Sequence, residues 1–143
     1  LYYLVCRLTE ESYIKMNEQC ALEPDARQAI SKYLSLQYDF FMTYNRLLLS
    51  LARLLLADAI PEDWKAELNS VREKKLKLLA AIIEKGIEQG VFMPGDSYRM
   101  ARALRNIIRG FSIESVEHKA GEHDPQKDQE VFKAVIFNGL LKK

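Results

Sequence analysis

Side chains that commonly carry enzymatic chemistry are scarce in this sequence. Its 143 residues include two histidines, His118 and His123, and two cysteines, Cys6 and Cys20. Neither histidine lies near a cysteine or inside a recognisable serine motif, so a nucleophilic triad has no candidate members. We therefore predict that the chain is not an enzyme.

The spacing of the cysteines also excludes a disulfide between them. Cys6 and Cys20 are fourteen positions apart on one predicted helix. That spacing corresponds to about 21 Å at about 1.5 Å per residue, whereas bridged cysteines bring their Cα atoms within about 7 Å. We expect two reduced thiols, which are typical of a cytoplasmic protein.

An excess of charge of one sign and a long apolar run are missing as well. The net charge of +1, from 21 Lys and Arg against 20 Asp and Glu, gives no general electrostatic reason to bind nucleic acid or an anionic membrane. Ser50, Arg53 and Asp58 interrupt the longest apolar run, which falls short of a membrane span. The sequence does hold 48% hydrophobic residues, enough for the core of a single domain over residues 1–143.

Helical periodicity runs through the whole chain. The segment of residues 26–59 is apolar on nearly all sides, which is typical of a central helix, but one rod of that length would span roughly 50 Å. We predict two helices there, with a break at residues 44–46 and Asn45 as an N-cap. No strand-type alternation longer than four residues appears, so the predicted fold is an all-α bundle of about six helices. Four prolines lie in the polar breaks between segments: Pro24, Pro61, Pro94 and Pro125.

Several predicted helix boundaries carry suitable cap residues. Asp96 and Asp124 precede apolar helical patterns and are good N-caps, while Gly90 suits the left-handed residue that follows a helix end. Gly86 and Gly110 lie inside helical patterns, where glycine costs about 1 kcal/mol relative to alanine. We interpret both as positions where another backbone approaches closely.

The stretch from Tyr33 to Asn45 combines aromatic rings with polar side chains. Gln37, Asn45 and several tyrosine hydroxyls lie on this nearly all-apolar segment, and they are more polar atoms than a dry core usually holds. Ligand pockets between bundle helices are mostly apolar and aromatic, with a few convergent polar groups. For any single residue of the stretch plain core packing is the stronger interpretation, but together the residues favour a cavity for a small molecule.

Two charged clusters have both a functional and a plain interpretation. The acidic and histidine residues within 114–124 include Glu114 and His118 on one helix face, which could ligate a divalent metal, but a solvated helix end is favoured and we predict no metal. The basic run from Arg72 to Lys77 could touch phosphate. It alternates with acidic residues and faces away from the apolar stripe, so a solvent-exposed face is favoured instead.

The last two predicted helices carry small residues among large apolar ones. Such faces can pack against a second copy in a two-fold, four-helix arrangement, and packing within one chain is the alternative. The predicted dimer face consists of Ala101, Leu104, Ile108, Phe111, Ser115, Phe132, Val135, Ile136 and Gly139.

The stretch from Ile82 to Gly110, IIEKGIEQGVFMPGDSYRMARALRNIIRG, resembles a recurring segment of the TetR (tetracycline-repressor-like) family of bacterial transcriptional regulators. In that segment a helix ends in G-x-x-x-G, an apolar residue and Phe follow, and an acidic cap opens an alanine-rich apolar helix that closes at a glycine. Residues 23–26 before Ile30 resemble the family's common entry to its fifth helix. Outside these segments the resemblance, which spans essentially all 143 residues, rests on helix order and length.

The resemblance implies the effector-binding and dimerisation domain of a TetR-like repressor. Helices within residues 1–92 would surround the ligand cavity and those within 96–143 would form the homodimer interface. A small apolar or aromatic effector would reorient the first helix and so weaken operator DNA binding through a helix-turn-helix headpiece. That headpiece is absent from this sequence, and we expect it before Leu1. No cofactor and no membrane partner are implied.

From the aromatic stretch and the helices expected to surround it, we predict eight residues that contact the effector: Gln37, Phe41, Tyr44, Leu48, Trp64, Leu79, Ile83 and Phe111. One alternative is a helical protein–protein interaction module without a small-molecule site. Another is a metal-dependent bundle enzyme, but the paired Glu-x-x-His motifs that such a centre needs are absent from the sequence.

Overall fold

Six α-helices make up most of the computed structural model, which describes residues 2–117 and 124–141. Within those residues the sole β-type bridge joins Phe92 to Leu141, so the predicted all-α class with six helices is confirmed. No helix in the same ranges is long and apolar enough to cross a membrane. The helices are α1 (Tyr2–Ala21), α2 (Ala26–Thr43), α3 (Asn45–Leu56), α4 (Glu62–Glu88), α5 (Ser97–Glu117) and α6 (Pro125–Leu140).

Side-chain caps and one glycine set several of these boundaries. The carboxylates of Asp25, Asp96 and Asp124 each accept a hydrogen bond from a backbone N–H of the first helical turn, which satisfies a donor that the helix leaves unpaired. At the end of α4, Gly90 has a φ of +71°, a left-handed conformation that glycine adopts without a Cβ penalty. The predicted caps at Asp96, Asp124 and Gly90 are therefore confirmed.

α2 and α3 meet at Tyr44, where φ is −113° and ψ is 25°. The predicted break is thus confirmed, but the prediction of Asn45 as the N-cap is wrong. Tyr44 occupies that position without a side-chain cap. Asn45 instead donates a hydrogen bond from Nδ2 to the carbonyl of Met42 at 2.9 Å, which ties the start of α3 to the last turn of α2.

The main core lies between α2 and α4 and is closed by α1, α5 and α6. Ile30, Leu79, Ile83 and Phe92 are almost completely buried in it. A second cluster forms at the other end of α1, where Val5, together with apolar side chains from α3, α4 and the loop between them, packs beside Trp64. Both cysteines are free, as predicted, and both are buried. Burial raises the pKa of each thiol.

Gly86 is needed for a close approach, although the neighbour differs from the predicted one. A Cβ at this position would come within 2.0 Å of the Phe92 ring, so a side chain packs there instead of another backbone. The loop after α4 folds this ring back onto the helix, with the N–H of Phe92 donating to the Gly86 carbonyl at 3.1 Å. At Gly110 a Cβ would meet nothing within 4 Å in this chain, so no close approach occurs there within the monomer.

The last two helices leave an apolar face toward solvent. Ile107 of α5 and Val131 and Val135 of α6 are more than half exposed. α5 and α6 are joined by the Phe111 and Phe132 rings, which stack with their centroids 4.2 Å apart. The exposed face therefore lies on the side of this helix pair that the main core does not use.

Candidate functional site

A cavity of about 360 Å³ opens between α2, α3, α4 and α5, with one residue of α1 at its edge. The volume falls at the lower end of the range of roughly 300–1,000 Å³ typical of small-molecule sites. Its lining consists of Thr9, Tyr33, Gln37, Phe40, Phe41, Leu48, Leu49, Leu51, Ala52, Leu55, Leu56, Leu68, Arg72, Lys75, Arg105, Ile108 and Arg109.

One wall of the cavity is apolar and comes mainly from α3. Leu48, Leu49, Leu55 and Leu56 line it, yet none of these four is buried. α3 follows the break at Tyr44, which sets its direction apart from that of α2. Its leucines thus present apolar area that a bound ligand can remove from water.

The cavity is also lined by four cations, which we call the basic cluster: Arg72 and Lys75 of α4, and Arg105 and Arg109 of α5. Among the described residues, no acidic side chain lines the cavity. None of these four cations forms an ion pair with a carboxylate in the described part of the chain. The cavity thus joins an apolar wall to a positive one.

Lys75 is the most buried member of the basic cluster, with 7% of its surface exposed. Its ammonium donates a hydrogen bond to Ser12 Oγ of α1 at 3.3 Å and lies 4.4 Å from the centre of the Phe40 ring. Burial, with the neighbouring charge of Arg72, lowers the pKa of Lys75 from 10.5 to about 8. Near neutral pH the group still carries its charge, but the folded chain holds that charge unfavourably.

The arginines of the basic cluster perturb one another. Burial lowers the pKa of Arg72 to about 10, and the charges of Arg109 and Arg105 add to the effect. The pKa of Arg109 is lowered by burial and then by Arg105. Among the described residues, the buried Nε of Arg105 has no hydrogen-bond partner, and neither has the buried Oε1 of Gln37. A buried donor without an acceptor is costly. An acceptor bound in the cavity would remove that cost for Arg105.

Three of the eight predicted effector contacts line the cavity: Gln37, Phe41 and Leu48. The other five lie elsewhere. Tyr44 packs on Phe40 with 5.2 Å between ring centres, and Trp64 packs on Tyr2 with 6.1 Å between ring centres.

The remaining three of those five belong to the main core or its edge. Leu79 and Ile83 are fully buried in that core, because they lie on the face of α4 that meets α2. Phe111 stacks on Phe132. Helical periodicity placed these residues on inward faces without showing which part of the interior stays open.

The interpretation of the basic run from Arg72 to Lys77 as a solvent-exposed face is wrong for Arg72 and Lys75. Lys74 and Lys77 are exposed, whereas Lys75 is buried and Arg72 is half-buried in the cavity wall. The available signal was spacing: Leu68, Arg72 and Lys75 follow one another at steps of four and three and so share a helix face. The net charge and the length of the basic run do not reveal this spacing.

The predicted dimer face divides between the core and the surface. Ala101, Leu104, Ile108 and Ile136 are buried within the monomer; Val135 is 66% exposed, and a Cβ at Gly139 would meet nothing within 4 Å. The side chain of Ser115, and the acidic and histidine segment around His118 and His123 for which no metal is predicted, lie outside the described residues. Among the described residues no group of three or more His, Cys, Asp or Glu side chains is placed to hold a metal ion.

Comparison with known proteins gives one structural likeness. No family model matches the chain, and no curated protein matches it in sequence. Its fold is similar to that of a protein from Saccharomonospora viridis described as a transcriptional regulator and solved in complex with choline. The TM-score is 0.83 over 99% of this chain and 73% of the other, at 16% sequence identity. At that identity the likeness shows a shared helical fold.

Proposed function

We propose that the chain is the ligand-sensing and homodimerisation domain of a TetR-like transcriptional repressor. The observation that carries the proposal is the cavity between α2, α3, α4 and α5, in which an apolar wall faces a few convergent polar groups. The shared fold with a protein described as a ligand-bound transcriptional regulator supports it. In this arrangement operator DNA is contacted by a headpiece outside this sequence, and the domain adjusts how that headpiece is held.

The effector site we propose combines the three predicted contacts that line the cavity with further lining residues. Gln37, Phe41 and Leu48 supply an amide, a ring and a flexible apolar side chain. Tyr33 and Phe40 add aromatic surface from the same helix. α2 thus carries four of these five residues.

The signal would pass to α1, the helix nearest the proposed headpiece. Thr9 of α1 lies at the edge of the cavity, Ser12 accepts the hydrogen bond from Lys75, and Glu10 pairs with Lys74 at 3.6 Å. An effector that binds more tightly to one position of α1 than to another shifts the population toward that position. Contacts between α1 and α4 are therefore the proposed allosteric link.

Choline does not carry over as the effector of this chain. Choline is a cation, and the described residues of the cavity wall include four cationic side chains and no acidic one. Like charges brought together in a site of low dielectric repel each other strongly. The shared fold therefore supports a ligand-binding domain, while the chemistry of the ligand follows from this chain's own residues.

For the homodimer, the exposed face of α5 and α6 is the proposed contact surface. Ile107, Val131 and Val135 offer apolar area there, and the open space around Gly110 and Gly139 leaves room for a second backbone to approach. The core residues of the predicted dimer face would support this surface from beneath. Two-fold pairing of two helices from each chain gives a closed four-helix contact.

A thermal-shift screen with small apolar compounds tests the effector site. We expect compounds that raise the melting temperature of the wild-type domain, and we expect Phe41→Trp to abolish their effect by filling the cavity. Leu22→Trp is the matched control, since Leu22 is 83% exposed on the loop after α1, and it should respond as wild type does. If no apolar compound stabilises the domain, or if Phe41→Trp responds unchanged, the proposed site is wrong and an interaction module without a small-molecule site becomes the better description.

A further inference from the structure

We propose that the effector is an amphipathic organic anion, whose charged group is held by Arg72, Lys75 and Arg105 and whose apolar body lies along α3. The inference rests on the proposed ligand-sensing function and specifies its ligand class. Carboxylates and phosphate monoesters share the required chemistry, a compact anion on an apolar body.

The four cations of the basic cluster are brought together in one cavity. Lys75 and Arg72 lie one turn apart on α4, and Arg105 and Arg109 lie one turn apart on α5, so each pair shares a helix face. All four line the same cavity. Bringing positive charges together in a partly desolvated wall is unfavourable unless an anion neutralises them.

Within the described residues, the basic cluster has no carboxylate counterion. The chain has 20 acidic residues, and several pair with other cations, such as Glu10 with Lys74 and Glu23 with Lys32. In the described ranges no carboxylate reaches the basic cluster. The buried, unpartnered Nε–H of Arg105 is a donor that an anionic oxygen satisfies, and charge-assisted hydrogen bonds of this kind are stronger than neutral ones.

Apolar side chains line much of the rest of the cavity. Among them, the leucines of α3 offer a surface that an alkyl or aryl body covers. An inorganic anion leaves that surface in water, and a neutral hydrocarbon leaves the cations unpaired. A molecule with an anionic group and an apolar body pairs with the cations and also covers the leucines. The lining therefore favours an amphipathic anion.

The anion also bears directly on the proposed signal. Lys75 donates a hydrogen bond to Ser12 of α1, and an anion that attracts the ammonium into the cavity lengthens or breaks that bond. Occupation of the site thus changes a contact that holds α1 against α4. In this proposal the basic cluster both binds the effector and, through Lys75 and Ser12, changes the contact between α4 and α1.

Isothermal titration calorimetry with four decyl compounds tests the charge requirement: decanoate, decyl phosphate, decanol and decyltrimethylammonium. We expect one or both anions to bind at least about tenfold more tightly than decanol, and the cation to bind least. The stronger of the two anions identifies the preferred headgroup. If decanol or the cation binds as tightly as the anions, the charge inference is overturned while the effector cavity stands. If none of the four binds, the proposed ligand-sensing function is overturned with it.

Two variants locate the anion. Lys75→Met and Arg105→Met should each weaken binding of the preferred anion at least about tenfold while leaving decanol unchanged. Lys77→Met is the matched control, since Lys77 lies on the same helix but is exposed and does not line the cavity, and its affinity should equal that of wild type. Equal loss of anion and decanol binding in both variants, or equal loss in Lys77→Met, would contradict the assignment. Thermal unfolding of each variant without ligand shows that it is folded.

Discussion

Replacing Lys75 with methionine should stabilise the ligand-free domain at neutral pH. The pKa of Lys75 is lowered from 10.5 to about 8, with burial as the first cause and the charge of Arg72 as the second. At about 1.36 kcal/mol per pKa unit, a charged Lys75 costs the folded state about 3 kcal/mol. Met retains most of the apolar stem and removes the charge.

Two favourable contacts are lost in the same substitution. The hydrogen bond from Lys75 to Ser12 and the contact of the ammonium with the Phe40 ring contribute about 1 kcal/mol each. The net expected gain for Lys75→Met at pH 7 is therefore about 1 kcal/mol. For a domain of this size that corresponds to a rise of roughly 3–5 °C in melting temperature.

The pH dependence gives the prediction a signature that simple repacking lacks. Because the folded-state pKa of Lys75 lies below its unfolded value, the unfolded chain binds more protons between about pH 8 and pH 10.5. In wild type this group therefore adds stability as pH rises through that window, and its penalty is fully present below it. The ammonium–ring contact disappears with the charge, so the advantage of Lys75→Met should shrink toward zero as the pH is raised from 7 to 10.

Urea unfolding of wild type, Lys75→Met and Lys77→Met at pH 7 and at pH 10 measures this directly. Other groups titrate in the same range, and they cancel in the difference between variants. Lys77 is exposed, so Lys77→Met should change the free energy of unfolding by no more than about 0.5 kcal/mol at either pH. A Lys75→Met domain that is less stable than wild type at pH 7, or whose difference from wild type does not depend on pH, would refute the reasoning.

Two further predictions concern packing and assembly. Gly86→Ala should lower the free energy of unfolding by about 1–2 kcal/mol in urea titration, because the new Cβ overlaps the buried Phe92 ring and this outweighs the gain in helix propensity. Gly110→Ala is its control when both substitutions are made in the monomeric Val135→Glu background, since open space surrounds Gly110 among the described residues of one chain; it should be neutral or stabilising by up to about 1 kcal/mol there, and equal effects at both sites would contradict the packing. Val135→Glu should convert a homodimer into monomers in light scattering at tens of micromolar, because it places a charge in an apolar contact. A wild-type domain that is already monomeric there would overturn the proposed dimer.

Local rules made the helices predictable from the sequence. Asp96, Asp124 and Gly90 carry signals that depend only on the residues next to them in the chain, and each functions as expected. Asn45 fits the same statistics but does not cap α3, because its amide bonds to Met42 of the preceding helix. Capping preferences state which residue types suit a helix boundary. The surrounding structure then decides which backbone group the side chain of that residue hydrogen-bonds.

The cavity could be predicted only in part. A residue on the inward face of a helix either packs in the core or lines a cavity, and periodicity does not distinguish the two. Leu79 and Leu68 both lie on inward faces of α4, yet Leu79 is fully buried in the main core and Leu68 lines the cavity. Which outcome applies depends on the direction of α3 after Tyr44, a tertiary feature that periodicity does not encode. The aromatic stretch of α2 was informative because its polar atoms required an explanation that close packing does not give.

Lys75 was overlooked for a related reason. A lysine in a basic run is usually solvated, which favours one exposed surface for the run from Arg72 to Lys77. A helix, however, distributes such a run over several faces. Two of its members lie inside. A buried cation that has no carboxylate counterion among the described residues runs against the general rule for charges in protein interiors. Departures of that kind concentrate at functional sites.

α5 brings the three proposed roles of the domain together on one helix. Ala101 and Leu104 bury one face in the main core, Arg105 and Arg109 present cations to the cavity, and Ile107 faces solvent where the second copy would pack. An anion that draws α4 and α5 together through their cations would act on the same helix that carries the proposed dimer surface. Because Lys75 also contacts α1, the position of α1 relative to the dimer would depend on whether the anion is bound, as a repressor with two operator-contacting headpieces requires.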